Sequence, residues 1–361
     1  MAFPKPELIA FLLFAVVALS FTAPSGAADC GTGAGEISVY WGQKSESVEG
    51  TLESLCSSGN YNIVILQSLL TSYVCTYELE LYCNILVYDD GRVPAINLAD
   101  HCGTSCPAKL QPQIEYCQQN NIKVLLSIGQ DVTALKTKSH RHYSSSSSSN
   151  STAAEKLASY LLENYLSGNP GPLGSVALDG INLADVADGE NLKWDEVVKA
   201  INASTTARKI YLGAGPECVY PDYNLGKAIS TGLFDYIWVE FFYQNPCIYA
   251  NGDASNLLKE WNKWSAGVPG SKIFLGLVAD GDAGIAGYIP PEDLISKVLP
   301  TVRQSSNYGG VAIWDRALDI ANNYTAQIKI DVPKGCICVC NGDDAWNRLY
   351  GLGSASLRMS V

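Results

Sequence analysis

Short apolar runs rich in β-branched and aromatic residues recur along the chain, at 37–43, 62–70, 123–130, 180–186, 209–215, 236–242, 273–279 and 310–314. Polar or Gly/Pro-rich turns follow most of them. The stretches between carry helical patterns, as at 153–166, 194–200 and 292–303. Alternating strands and helices, with no second region of different composition, predict an α/β fold, a single (β/α)8 TIM barrel. A doubly wound open sheet shares the same alternation.

Three segments stand outside that frame. Residues 71–93, with Cys75 and Cys83, follow the second strand, and the two cysteines are close enough to clip the loop together. Residues 140–151 follow the third strand and include an unbroken Ser run from Ser144 to Ser149, which predicts a solvated loop. Residues 331–361 form a tail with Cys336, Cys338 and Cys340 and no clear helix or strand. Loops that follow barrel strands lie on the active-site face. The first two segments are therefore expected to remodel its rim.

The N-terminus reads as a secretory signal over 1–27. Lys5 precedes an apolar run at 8–21, and small residues follow at Ser25, Gly26, Ala27 and Ala28. The run is short for a bilayer span. The expected organisation is then a barrel at 28–330 and the Cys-containing tail at 331–361. Twelve Cys and three sequons, at Asn150, Asn202 and Asn323, suit a secreted glycoprotein, extracellular or vacuolar. A hydrophobic content of 47% excludes wholesale disorder. A net charge of −12 disfavours nucleic acid and anionic membrane surfaces as partners. With 3 His in the chain, no metal site and no cofactor is expected, and clustered Cys in a secreted protein should oxidise rather than bind metal. A monomer is expected.

Several motifs then converge. Tyr40-Trp41-Gly42-Gln43 ends the first strand, Leu126-Ser127-Ile128-Gly129 the third, and Leu178-Asp179-Gly180-Ile181 begins the fourth. Gly232 to Val239 leads through the sixth, Phe274-Leu275-Gly276-Leu277 is the seventh, and Tyr308-Gly309-Gly310-Val311 with Trp314 is the eighth. From about 35 to about 328 the chain resembles the plant class III chitinases (hevamine-like, glycoside hydrolase family 18) and their non-enzymatic relatives.

The resemblance implies a test on the fourth strand. Active members carry D-x-x-D-x-D-x-E there. The Glu protonates the glycosidic oxygen, and the Asp before it helps the substrate's own acetamido group to act as nucleophile, an exception to the usual two-carboxylate scheme. Read without a gap, this chain gives Asp179, Asn182, Ala184 and Val186. Trp194 stands one residue further on than the family pattern places it. A one-residue insertion would bring Asp185 to the assisting position and Ala187 to the acid. In either register an alkyl side chain replaces the acid, and Glu190 comes too late to take its place. In the sixth strand the resemblance puts Phe242 at a family Tyr and Glu240 at a family Gln, with Tyr243 on the opposite face of a regular strand. No catalytic residue is assigned.

For carbohydrate binding the resemblance nominates Tyr40, Gln43, Gln130, Glu240 and Trp314. Trp314 matches the floor under the −1 sugar, whereas Gln130 replaces a Gly and narrows the cleft. It also implies the disulfides Cys56–Cys117, Cys102–Cys106 and Cys218–Cys247, and leaves the pairing of the other six cysteines open. The function it implies is a chitinase-like protein without hydrolase activity. Such a protein would bind chitin oligosaccharide or another glycan as a lectin, or inhibit a foreign xylanase or related hydrolase in defence. The alternatives are a weak endochitinase using Asp185 or Glu190, and an acidic storage or calcium-binding protein.

Overall fold

A computed structural model describes residues 35–70, 95–129, 152–184, 186, 188, 192–204, 208–243 and 246–333. The expected signal segment, the segments at 71–93 and 140–151, Gln130, Asn150, Asp185, Ala187, Glu190 and the tail cysteines lie outside them. The described residues fall within one compact unit, Thr32–Gly335.

Eight parallel strands close a barrel: β1 (Glu36–Trp41), β2 (Ile63–Leu70), β3 (Lys123–Gly129), β4 (Gly180–Ala184), β5 (Tyr211–Gly215), β6 (Tyr236–Glu240), β7 (Lys272–Val278) and β8 (Tyr308–Trp314). Closure is direct, because Ser38 of β1 lies opposite Ile63 of β2 on one side and Ala312 of β8 on the other. A two-residue strand, Ala95–Ile96, pairs antiparallel with the end of β2. The helical patterns also appear. Ala153–Leu161 is an α-helix that widens over Leu162–Leu166, and Trp194–Asn202 is a second. No helix among the described residues is long and apolar enough to cross a membrane.

Strand alternation separates two apolar layers. Outward residues such as Val39, Leu66, Leu126, Leu183, Ile237 and Leu275 pack with the helices in one cluster. Inward residues Ile63, Ile65, Leu125, Tyr236, Trp238, Phe274 and Ala312 fill the barrel. Gly213 on β5 is required by that filling, because a Cβ there would overlap the Trp238 ring. Past β8 the chain stays packed through Val332, which is fully buried and accepts a hydrogen bond from Tyr308 Oη at 2.9 Å.

A repeated clasp closes the N-terminal mouth. Asn62, Asp179 and Asp235 each stand one residue before an even-numbered strand. Each side chain accepts from the second amide of the preceding strand: Ile37 N–H to Asn62 (2.8 Å), Val124 N–H to Asp179 (2.8 Å) and Leu212 N–H to Asp235 (3.0 Å). Each backbone N–H returns a bond to the carbonyl of that same residue, at 2.8, 2.9 and 2.8 Å. The second amide of β7 uses the Asn307 carbonyl instead, at 2.8 Å. Cations complete the ring, with Arg208 on Asp179, Lys209 on Asp235, and Glu36 shared by Lys123 and Lys272 at 3.3 Å each. Asp179, the first acid of the fourth-strand motif, therefore sits at the end of the barrel opposite the cleft and serves strand pairing.

Asp179→Ala would leave the Val124 amide, Gln118 Nε2 and Arg208 without their shared acceptor. Loss of charged hydrogen bonds of this kind costs about 2 kcal/mol. The urea midpoint should fall with the slope unchanged. A change below about 0.5 kcal/mol would show that the clasp is ornamental.

Candidate functional site

The opposite mouth collects the polar and aromatic residues. Parity points Tyr40 of β1, Gln67 of β2, Ser127 of β3, Asn182 and Ala184 of β4, Gly215 of β5 and Glu240 of β6 into the barrel's upper end. Trp314 ends β8. Its ring lies 5.1 Å from Tyr40, tilted by 58°, and 6.2 Å from Phe242. Tyr40 and Phe242 are buried, and Trp314 is half-buried.

Gly215 is the meeting point of this group. A Cβ built on it would lie 3.3 Å from Tyr40 Oη, 3.5 Å from Ala184 Cβ and 3.5 Å from Glu240 Oε1. Absence of a side chain at 215 keeps a small space between a phenol, a methyl group and a carboxylate. Asn182 is fully buried and donates to Ser127 Oγ at 3.2 Å. Where the family pattern asks for carboxylates on β4, the inward positions are thus an amide and a methyl. Neither can shuttle a proton at neutral pH.

β4 ends at Ala184, and Val186 packs with the outer apolar cluster, 1% exposed. Burial of an apolar side chain of this size is favourable by ~1.5–3 kcal/mol. Asp185, like Gln130, lies outside the described residues. On β6, Glu240 faces inward, and Phe242 packs on Trp314.

The three implied disulfides, Cys56–Cys117, Cys102–Cys106 and Cys218–Cys247, are all formed. The last ties the loop after β5 to the segment after β6. Among the sequons, Asn202 ends its helix exposed, and Asn323 is exposed with a left-handed φ of 51°. No group of three or more His, Cys, Asp or Glu among the described residues is placed to hold a metal ion.

A buried acid group behind the rim has no sequence signature. Glu49, 1% exposed, accepts from the amides of Gly42 and Lys44 and so fixes the turn after β1. That turn carries Gln43, whose Nε2 donates to the Gln67 carbonyl at 2.5 Å, where β2 has a bulge against β3. His101 packs on the Trp41 ring at 4.0 Å, with its two nitrogens 3.8 Å from Glu46 and 4.0 Å from Glu49. Asp315, next to Trp314, is buried and caps the following helix by accepting from Leu318 N–H at 3.0 Å. Burial pushes the Glu49 carboxyl up to about 7 against its two amide donors, and the Asp315 charge adds to the rise. Burial likewise raises Asp315 and lowers His101.

The sign of the Glu49 effect follows from linkage. Its folded pKa lies above the ordinary Glu value, so the folded state holds a proton that the unfolded chain has already released. Stability should fall as pH rises from about 4.5 through 7, by at most ~1.4 kcal/mol for each unit of displacement. Asp315 acts in the same direction, whereas His101 costs stability as pH falls below about 6.5. Glu49→Gln should therefore gain on the wild type between about pH 5 and 7.5, read as the difference in urea midpoint. An equal difference at both pH values would contradict the buried ionisation.

Known proteins share this architecture at useful identity. No family model matches the chain. The acidic endochitinase SE2 of Beta vulgaris is 39% identical over 329 residues, 90% of this chain and 98% of the relative. A chitinase-like lectin from tamarind superposes with a TM-score of 0.68 at 43% identity, covering 81% of this chain and 98% of the lectin. A xylanase and alpha-amylase inhibitor protein from Scadoxus multiflorus superposes with a TM-score of 0.65 at 35% identity, covering 82% and 98%. A full-length relative at this identity, a barrel closed in the same way and the three disulfides lead to one conclusion: the chain belongs to the plant acidic endochitinase family, the class III chitinase-like branch of glycoside hydrolase family 18.

Proposed function

We propose that the protein is a secreted, monomeric chitinase-like protein that binds carbohydrate without hydrolysing it. The observation that carries this reading is Ala184, an inward methyl group beside Tyr40 and Glu240, in a strand whose inward polar residue is Asn182. Family-18 hydrolysis needs a carboxylic acid and a carboxylate that supports the acetamido nucleophile. Removing a general acid alone costs about 10²–10⁴-fold. The binding half of the site is better furnished. Trp314 offers a half-buried ring flanked by Tyr40 and Phe242, and Glu240 can accept from sugar hydroxyls. The preferred ligand is a chitin oligosaccharide, and the tamarind lectin at 43% identity supports a lectin role. The Scadoxus multiflorus inhibitor supports a companion reading in which loops on the barrel block a foreign xylanase or amylase in defence.

Two assays test this. Chitin oligosaccharides and their chromogenic analogues should pass through unhydrolysed. Calorimetry should show binding of the same oligosaccharides, weakened about 30-fold by Trp314→Ala, as expected when a stacking aromatic worth ~2 kcal/mol is truncated. Inhibition of a xylanase panel, where present, should survive that substitution. The endochitinase name of the Beta vulgaris relative favours a second reading, residual hydrolysis. Turnover that disappears in Glu190→Gln would establish it at the expense of the first. Binding to neither saccharide nor hydrolase would leave only an acidic storage role.

A further inference from the structure

Tyr243 follows Phe242 directly, and its backbone is unusual. Its φ is +69°, and of the five described non-glycine residues at positive φ (Ala99, Asn121, Tyr243, Asn251 and Asn323) it alone is aromatic. A bulky side chain at positive φ is a true outlier, which persists only where surrounding structure enforces it. Here the Tyr243 N–H donates to the Ala286 carbonyl at 2.9 Å. Beside that bond Gly287, at φ +98°, lets the two segments approach, since a Cβ there would lie 2.7 Å from the Phe241 carbonyl oxygen and 2.9 Å from Phe242 Cα. The Cys218–Cys247 disulfide holds the same stretch to the loop after β5.

The strain does not serve the core, because the Tyr243 side chain is 45% exposed. It serves placement. The ring sits edge-on to Phe242 at 4.9 Å, Phe242 packs on Trp314 at 6.2 Å, and Trp314 on Tyr40 at 5.1 Å. Four rings therefore run from the barrel's interior to its surface. β6 ends at Glu240, so strand alternation does not govern Tyr243, and its ring lies at the exposed end of this series.

We propose that Tyr243 is an outer stacking platform for a pyranose ring of a glycan that continues out of the cleft past Trp314. The proposal rests on the glycan-binding reading above and extends it to chain length. The ring's π face suits the apolar face of a neutral sugar, and a net charge of −12 disfavours an anionic occupant. The affinity of the protein should then grow with saccharide length, and Tyr243 should matter only for ligands long enough to reach it.

Calorimetry with a chitin disaccharide and a chitin hexasaccharide tests this on wild type, Tyr243→Ala, Tyr243→Phe, Tyr243→Gly and Trp314→Ala. Tyr243→Ala and Tyr243→Gly should bind the hexasaccharide about tenfold more weakly and the disaccharide within about twofold of wild type. Tyr243→Phe should keep both affinities, and Trp314→Ala should lose both. Tyr243→Gly relieves the backbone, so it should unfold at or above the wild-type temperature, which separates loss of the ring from misfolding. An unchanged hexasaccharide affinity in Tyr243→Ala, with Trp314→Ala still defective, overturns the platform and leaves the proposed function standing. Equal weakening of both saccharides by Tyr243→Ala also overturns it, because the residue would then act through the cleft. Retained hexasaccharide affinity with lost xylanase inhibition would assign the ring to a protein partner instead. No saccharide binding by the wild type overturns both proposals.

Discussion

Pairing register at the N-terminal mouth is the constraint on which the rest of the molecule depends. Side chains alternate along a strand, so a slip of one residue exchanges everything that faces the cleft with everything that faces the helices. Asn62, Asp179 and Asp235 fix that choice for three strand pairs by gripping the second residue of the preceding strand through both its N–H and its C=O. Once the grip is made, Asn182, Ala184, Glu240 and Tyr40 must point inward, and Ile181, Leu183 and Val239 must point toward the helices. The cations around the mouth add attraction that is partly exposed and hence modest. The partly buried amide bonds carry the greater share.

From that register the character of the cleft follows. Barrels of this kind place catalytic groups at the C-terminal ends of their strands and in the loops that follow. On β4 the inward positions are filled by groups that hold no titratable proton, while the aromatic residues on β1 and β8 remain in contact. Hydrolysis and binding are thus separable in this fold. The first needs carboxylates placed within a fraction of an ångström. The second needs only a ring of suitable exposure and a few hydrogen-bonding groups.

How much of this could be read from the sequence depends on the distance over which each feature is encoded. The eight strands were legible because each is a local run with its own period, and the three disulfides because a whole family framework was recognisable. Asp179 was legible as a motif residue but not as a clasp, since its partners Val124, Gln118 and Arg208 lie on other elements. Which residue of the fourth strand takes the acid position was not legible, because Val186 is buried among apolar residues while Asp185 and Ala187 on either side of it lie outside the described residues. Glu49, His101 and Asp315 carried no pattern at all. They come together only when β1, β8 and the segment around His101 converge. The face of Tyr243 was not legible either, because β6 ends at Glu240 and the backbone of Tyr243 has a positive φ beside the loop that carries Ala286 and Gly287.

The separation of binding from hydrolysis is the central claim, and a ligand seen in place tests it most directly. Diffraction from crystals of the protein soaked for days in a chitin tetrasaccharide should show the uncleaved chain with one ring over Trp314 and Ala184 beneath the neighbouring linkage. A shortened saccharide, or a cleft that stays empty at saturating ligand, would contradict the account.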